Sequence, residues 1–133
     1  GSLEGNGVSL VFSGKGAIVK FDPASTVSLA APKAGAMAGL LMFEDRNSPL
    51  GQKHEINSDN ARTLLGTIYL PQGQLHIAAA KPVADKSAYT IVVVRNFSLS
   101  EGPTMVMNSN YGGTDVPVPD GVGPSAAKPF LTQ

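Results

Sequence analysis

No cysteine and no tryptophan occur in this chain. The first absence excludes disulfides, cysteine-based zinc sites and thiol nucleophiles together, yet it leaves the compartment open, because many exported bacterial proteins also lack cysteine. The second thins out the aromatic platform on which sugars stack, since the only tyrosines are Tyr69, Tyr89 and Tyr111. A charge imbalance is missing as well: ten Lys and Arg offset ten Asp and Glu. Without a basic cluster there is no electrostatic footprint for nucleic acid or for an anionic membrane. The most apolar window, "AGAMAGLLMF" (34–43), is about half of the roughly 20 residues that a membrane span needs. Gly1-Ser2 has the look of an expression scar, and no basic region followed by an apolar run and a cleavage site comes after it, so any signal peptide or anchor has been removed or was never present. Helical periodicity is also lacking, because no long window carries apolar residues at i, i+3, i+4 and i+7 without an interrupting Gly or Pro.

What the chain does have is a succession of short runs rich in Val, Ile, Leu, Phe and Thr between Gly, Pro, Asn and Asp corners. They are "VSLVF" (8–12), "AIVKF" (17–21), "TVSLAA" (26–31), "GLLMF" (39–43), "LLGTIYL" (64–70), "QLHIAA" (74–79), "YTIVVVRNFSL" (89–99) and "TMVMN" (104–108). These are strand signals, and 133 residues fit one domain. Aligning Ile68 and Leu70 with Ile91 and Val93 takes a shift of 23 residues, and aligning Leu75 and Ile77 with Phe97 and Leu99 takes 22. A period of about 20 to 25 residues built from short strands is the mark of a β-solenoid, while chance spacing in a β-sandwich remains the alternative.

"GLLMF" and "TIVVV" are apolar on both faces, as parallel strands covered on both sides are. If alternate residues fill a solenoid core, Leu40, Met42, Val92 and Val94 form an outward patch that needs its own cover, either the tail or a partner chain. The stretch from residue 112 to 133 is rich in Pro and Gly and is expected to be extended, with Val116, Val118, Phe130 and Leu131 available to dock it on a body at 3–111.

Residues that carry chemistry are scattered. His76 lies between Leu75 and Ile77, so alternation points it outward as a scaffold corner residue. His54, in "GQKHE", has no second His or Cys at ligand spacing, which argues against a transition-metal site. Glu44 and Asp45 are adjacent acids, but neighbours on a strand point apart, whereas a glycosidase needs two carboxylates converging on one bond; Glu55 and Asp59 lie in a separate corner. "EDRN" (44–47) therefore reads as a turn in which Asp45 pairs with Arg46 or accepts amide hydrogen bonds. "SGKG" (13–16) lacks phosphate-loop spacing, "GGTD" (112–115) is a single copy where calcium-binding repeats need several, no "GxSxG" is present, and "NFS" (96–98) is a glycosylation sequon only in a eukaryotic secretory host.

Three stretches in order, "LAAPKAGAMAGLLMFEDRN" (29–47), "LLGTIYLPQGQLHI" (64–77) and "NYGGTDVPVP" (110–119), resemble the C-terminal region of TadG-like bacterial proteins of Flp-pilus assembly and tight adherence. The likeness rests on Ala31-Pro32, Ala38-Gly39, Asp45-Arg46, Leu65-Gly66-Thr67-Ile68-Tyr69, Pro71, Tyr111, Thr114-Asp115-Val116-Pro117 and Pro119, with the ending "LTQ", and spans residues 26–133. The resemblance implies a right-handed, single-stranded parallel β-helix and export across the inner membrane. The product would sit in the periplasm or at the cell surface, anchored through an N-terminal segment upstream of this stretch. It implies no catalytic residues. The expectation is thus an all-β solenoid with a Pro/Gly-rich tail and no cofactor. Its function would be that of a non-enzymatic structural or interaction module with protein partners in the envelope or pilus machinery. Candidate contact residues are Glu44, Asp45, Arg46, Leu40, Met42, Val92 and Val94. A carbohydrate-binding or carbohydrate-cleaving β-helix is the alternative.

Overall fold

The apolar runs between the Gly, Pro, Asn and Asp corners become eight strands in the computed structural model, which describes residues 2–100 and 105–119. They are β1 (Ser2–Asn6), β2 (Leu10–Phe12), β3 (Lys20–Phe21), β4 (Thr26–Ala30), β5 (Leu40–Glu44), β6 (Lys53–Ile56), β7 (Asn60–Ile77) and β8 (Thr90–Leu99). Every ladder between them is parallel. One stack runs β1, β4 and the start of β7. A second runs β2, β5, the middle of β7 and the start of β8. A third runs β3, β6 and the ends of β7 and β8. The chain is therefore a parallel β-solenoid of about four turns, as the period suggested, and the paired, face-packed antiparallel sheets of a sandwich are not formed. Among the described residues there is no α-helix, only one short 3-10 turn at Tyr111–Gly113.

Parallel stacking brings like positions of successive coils together, so the core is built in columns. Phe21, Ile56, Ile77 and Leu99 form one, and Leu10, Met42, Ile68 and Val92 another. Met42, Ile56, Ile68, Leu70, Leu75 and Ile77 are fully buried, and burying each such side chain contributes about 1.5–3 kcal/mol. On the last coil Phe97 and Leu99 stay exposed, because β8 pairs only with β7. Val92, Val93, Val94, Phe97 and Met107 line an open apolar groove of about 440 Å³ there.

Two expectations about facing are corrected. Leu75 meets Phe97 as the 22-residue shift requires, but Ile68 meets Val92 and Leu70 meets Val94, not Ile91 and Val93. The corner Pro71-Gln72-Gly73 holds two residues more than its counterpart, Arg95, on the next coil. A slip of one residue exchanges the faces of a strand. Val92 and Val94 thus continue the inward columns, half-buried at the end of the stack, while Ile91 and Val93 take the other face. In β5 a bulge between Leu40 and Met42 turns both Leu41 and Met42 into the core, where each is fully buried. Met42 is therefore not an outward residue. The continuous apolar run in "GLLMF" reflects an extra inserted residue, not a strand covered on two faces.

Leu70→Ala removes a fully buried side chain from the centre of the stack and is expected to cost about 2 to 5 kcal/mol. Urea unfolding would register this as a lower midpoint with an unchanged denaturant slope.

Candidate functional site

Two chemically capable side chains meet where sequence reasoning kept them apart. The bulge in β5 brings Glu44 to the inner face, and alternation in "KHEI" places His54 inward beside Ile56; both Glu44 and His54 are fully buried. His54 Nε2 lies 3.1 Å from Glu44 Oε2, and the Val19 backbone N–H donates to His54 Nδ1 at 3.1 Å. A ring nitrogen that accepts carries no proton, so the imidazole is the neutral tautomer that donates from Nε2 to Glu44. The Gln72 N–H donates to Glu44 Oε1 at 2.9 Å. The pair thus ties together the first coil (Val19), the second (Glu44 and His54) and the third (Gln72). Phe12 tilts over the imidazole with ring centres 5.0 Å apart. Gly73 closes the remaining side: a Cβ there would come within 3.0 Å of Glu44 Oε2 and of the His54 ring. Both imidazole nitrogens and both carboxylate oxygens are occupied within the chain, and no opening leads to them.

The other candidates sit at the surface. Asp45 accepts from the Asn47 N–H at 3.0 Å and from Ser13 Oγ at 3.3 Å, so it shapes a turn as expected and does not converge with Glu44. Arg46 is exposed, and its carbonyl accepts from Gln72 Nε2. His76 is half-buried on the outer face with Ser98 Oγ at 2.7 Å and Ser100 Oγ at 3.0 Å, a cross-coil ladder contact. Glu55 lies between Lys20 and Lys53 at 3.8 and 3.9 Å, pairs worth about 0–1 kcal/mol at a surface. Arg62 holds Asp85 through both carboxylate oxygens, and this contact lowers the Asp85 carboxyl below its ordinary range. Among the described residues no three His, Asp or Glu side chains gather as a metal site would require.

The outer face of the second stack carries an in-register row of apolar side chains: Val11, Phe43, Tyr69 and Val93, one per coil. Phe43 and Tyr69 stack with ring centres 5.7 Å apart and planes 16° from parallel. Val11 is 58% exposed and the other three are half-buried. No expectation singled out this row; its signal is the period itself, once the bulge at Leu41 and the corner lengths are allowed for.

Residues 114–119 cross back over the side of the stack as a strap. Val116 is buried beneath it and Val118 packs on the core, as expected for the tail, while Phe130 and Leu131 lie outside the described residues. The strap does not cover Met42, Val92 or Val94. Its target is the corner where Gly39 and Tyr89 meet. The Tyr89 hydroxyl donates to the Pro117 carbonyl at 2.5 Å, the Tyr89 and Tyr111 rings are tilted at 5.4 Å, and Lys33 pairs with Asp115 at 3.3 Å. Gly39 has φ +79°, and a Cβ there would overlap the Pro117 carbonyl oxygen and the Pro119 ring, so only glycine lets the strap lie this close. Leu40, Thr67 and Ile91 form the neighbouring outward ladder. Thr67 is fully buried, and its hydroxyl stands close enough to affect the Tyr89 phenol without reaching hydrogen-bond geometry with any group. Burial pushes the Tyr89 phenol up to about 12, with the Thr67 hydroxyl acting in the opposite direction and Tyr111 in the same one.

Comparison with protein families, with curated proteins and with solved structures finds no match to this chain.

His54→Ala strands the Val19 N–H and leaves the Glu44 carboxylate with one donor, so it is expected to destabilise the fold by about 3–5 kcal/mol in denaturant titration. In the wild-type chain, nitrogen NMR of the His54 ring is expected to show a bare Nδ1 and a protonated Nε2. For Tyr89 the sign follows from a folded-state value above the ordinary one of about 10. The protonated phenol is the favoured form, its contribution is fully present below about pH 10, and it is lost as pH rises through about 12. Tyr89→Phe should cost about 1 kcal/mol at neutral pH. The difference in stability between wild type and this variant, measured against pH, should shrink over that alkaline window.

Proposed function

We propose that this chain is a non-catalytic structural and interaction module, a rigid spacer whose outer face meets protein partners in an exported bacterial envelope protein of the tight-adherence pilus type. The observation that carries the reading is the in-register row of Val11, Phe43, Tyr69 and Val93 on an outer sheet face. Contiguous apolar surface of this kind marks contact sites, and a stack with strands roughly 4.8 Å apart holds it on a stiff frame. The envelope and pilus setting comes from the resemblance of the three sequence stretches. Among the residues first considered for contact, Asp45 and Arg46 lie at the surface corner and Leu40 is half-buried, whereas Glu44 and Met42 are interior.

The carbohydrate alternative draws less support. Sugar platforms use exposed ring faces, and one face each of Phe43 and Tyr69 is taken up by the other ring. A glycosidase needs two carboxylates on one bond, and of the adjacent acids Glu44 is sealed inside with His54.

In the full-length gene of the source organism, Val11→Lys with Tyr69→Lys is expected to reduce surface attachment several-fold while the purified domain keeps its β circular dichroism. Undiminished attachment by a folded, exported variant would overturn the reading. Binding of the wild-type chain on a glycan array, lost in the same variant, would move it to the carbohydrate class.

A further inference from the structure

Every group that recognises the strap belongs to the body, and each contacts a feature that any copy of the segment carries. Lys33 meets the Asp115 carboxylate. The side of the stack takes up the Val116 side chain, which is 2% exposed. The Tyr89 hydroxyl donates to the Pro117 carbonyl. The bare Cα of Gly39 leaves room for that carbonyl and for the ring of Pro119. Together these make a groove that reads an extended Asp-Val-Pro-Val-Pro sequence, with the two prolines lowering the entropy lost on docking.

The attachment of the strap to its own chain is slight by comparison. Among the described residues no backbone-to-backbone hydrogen bond joins residues 114–119 to a strand. The strap is joined to the last coil through the single turn Tyr111–Gly113, whose closing bond runs from the Gly113 N–H to the Asn110 carbonyl at 3.1 Å. Gly112 has open space around it. The groove cannot be left empty at no cost, because the half-buried apolar side chains of Leu40 and Ile91 lie beside it. An element that is recognised through side chains, tethered by one glycine-containing turn and needed to cover its site is suited to exchange between identical chains.

We propose that the groove formed by Lys33, Gly39, Thr67 and Tyr89 is a receptor for an Asp-Val-Pro-Val-Pro strand, and that a second copy of this chain supplies that strand by reciprocal exchange. In the monomer the short tether gives the strap an effective concentration on the order of mM, so the closed form prevails in dilute solution. Exchange takes over where chains are crowded or where the turn cannot close. The inference rests on the strap contacts alone and not on the reading of the outer row.

Deleting Gly112 and Gly113 from the full chain shortens the tether so that the strap cannot return to its own groove. This variant is expected to dimerise in light-scattering chromatography at concentrations where the wild type is a monomer. Tyr89→Phe or Val116→Asp in the same background should weaken the dimer by about a hundred-fold, the equivalent of one lost contact of about 1.4 kcal/mol in each of its two grooves. A monomeric deletion variant with increased hydrophobic-dye binding, or a dimer indifferent to both substitutions, would overturn the proposal. Should the deletion variant fail to fold, a fluorescent Thr-Asp-Val-Pro-Val-Pro peptide carries the test. It is expected to bind full-length Val116→Asp, whose own strap is weakened while its body is unchanged, at least about ten-fold more tightly than wild type, where the tethered strap competes. Equal binding to the two proteins, or none to either, would count against the receptor.

Discussion

Lateral registration governs this molecule. Each coil offers its N–H and C=O groups to the coils beside it, and a parallel ladder forms only if the strands line up residue for residue. Side chains must then repeat in columns, so one decision about facing propagates through all four turns. The coils differ in length, and the differences are absorbed at places where the ladder is interrupted: the loop before β5, the bulge at Leu41 and the corner at Pro71-Gln72-Gly73. The strands are held to the common frame, and the corners vary.

Those corners are also where the interior becomes polar. Glu44 and His54 sit where the second stack turns into the third, and the groups they bind are backbone N–H groups of the neighbouring coils. A corner breaks the ladder and leaves such groups without strand partners, so two buried side chains with complementary donors and acceptors do there what β pairing does along the faces. The arrangement is demanding, since removing either side chain leaves a buried polar group unmatched. The residues with the most recognisable catalytic chemistry are thus occupied in holding three coils together.

Much of the architecture was legible in the sequence because its physics is local. The strand runs, the missing helical periodicity and the pairing of Leu75 with Phe97 follow from side-chain type and spacing. The inward place of His54 was also readable, since Ile56 two residues on is a core residue and Lys53 and Glu55 are not. What stayed hidden depended on counting residues around corners. The facing of Ile91 against Val92 turns on the lengths of two corners, and Glu44 reaches the core only because one residue is inserted before Met42. The docking of Val116 and Val118 was anticipated from their apolar character, but the Gly39 and Tyr89 corner could not be chosen as their target, because it is assembled from coils far apart in sequence. For function the sequence contributed a resemblance, and the structure contributed the row that runs through Phe43 and Tyr69.

A linear stack has a mechanical weakness: each coil touches only its neighbours, so free energy is coupled from one coil to the next and a coil at the end can peel away alone. The strap changes this connectivity. It leaves the last coil and fastens at Lys33 and Gly39, which belong to the second. The terminal coil cannot fray without drawing on a contact two coils down, and the second coil cannot open without loosening the end. A zipper that would open tooth by tooth is thereby turned into a single cooperative unit, with the phenol of Tyr89 acting as its clasp.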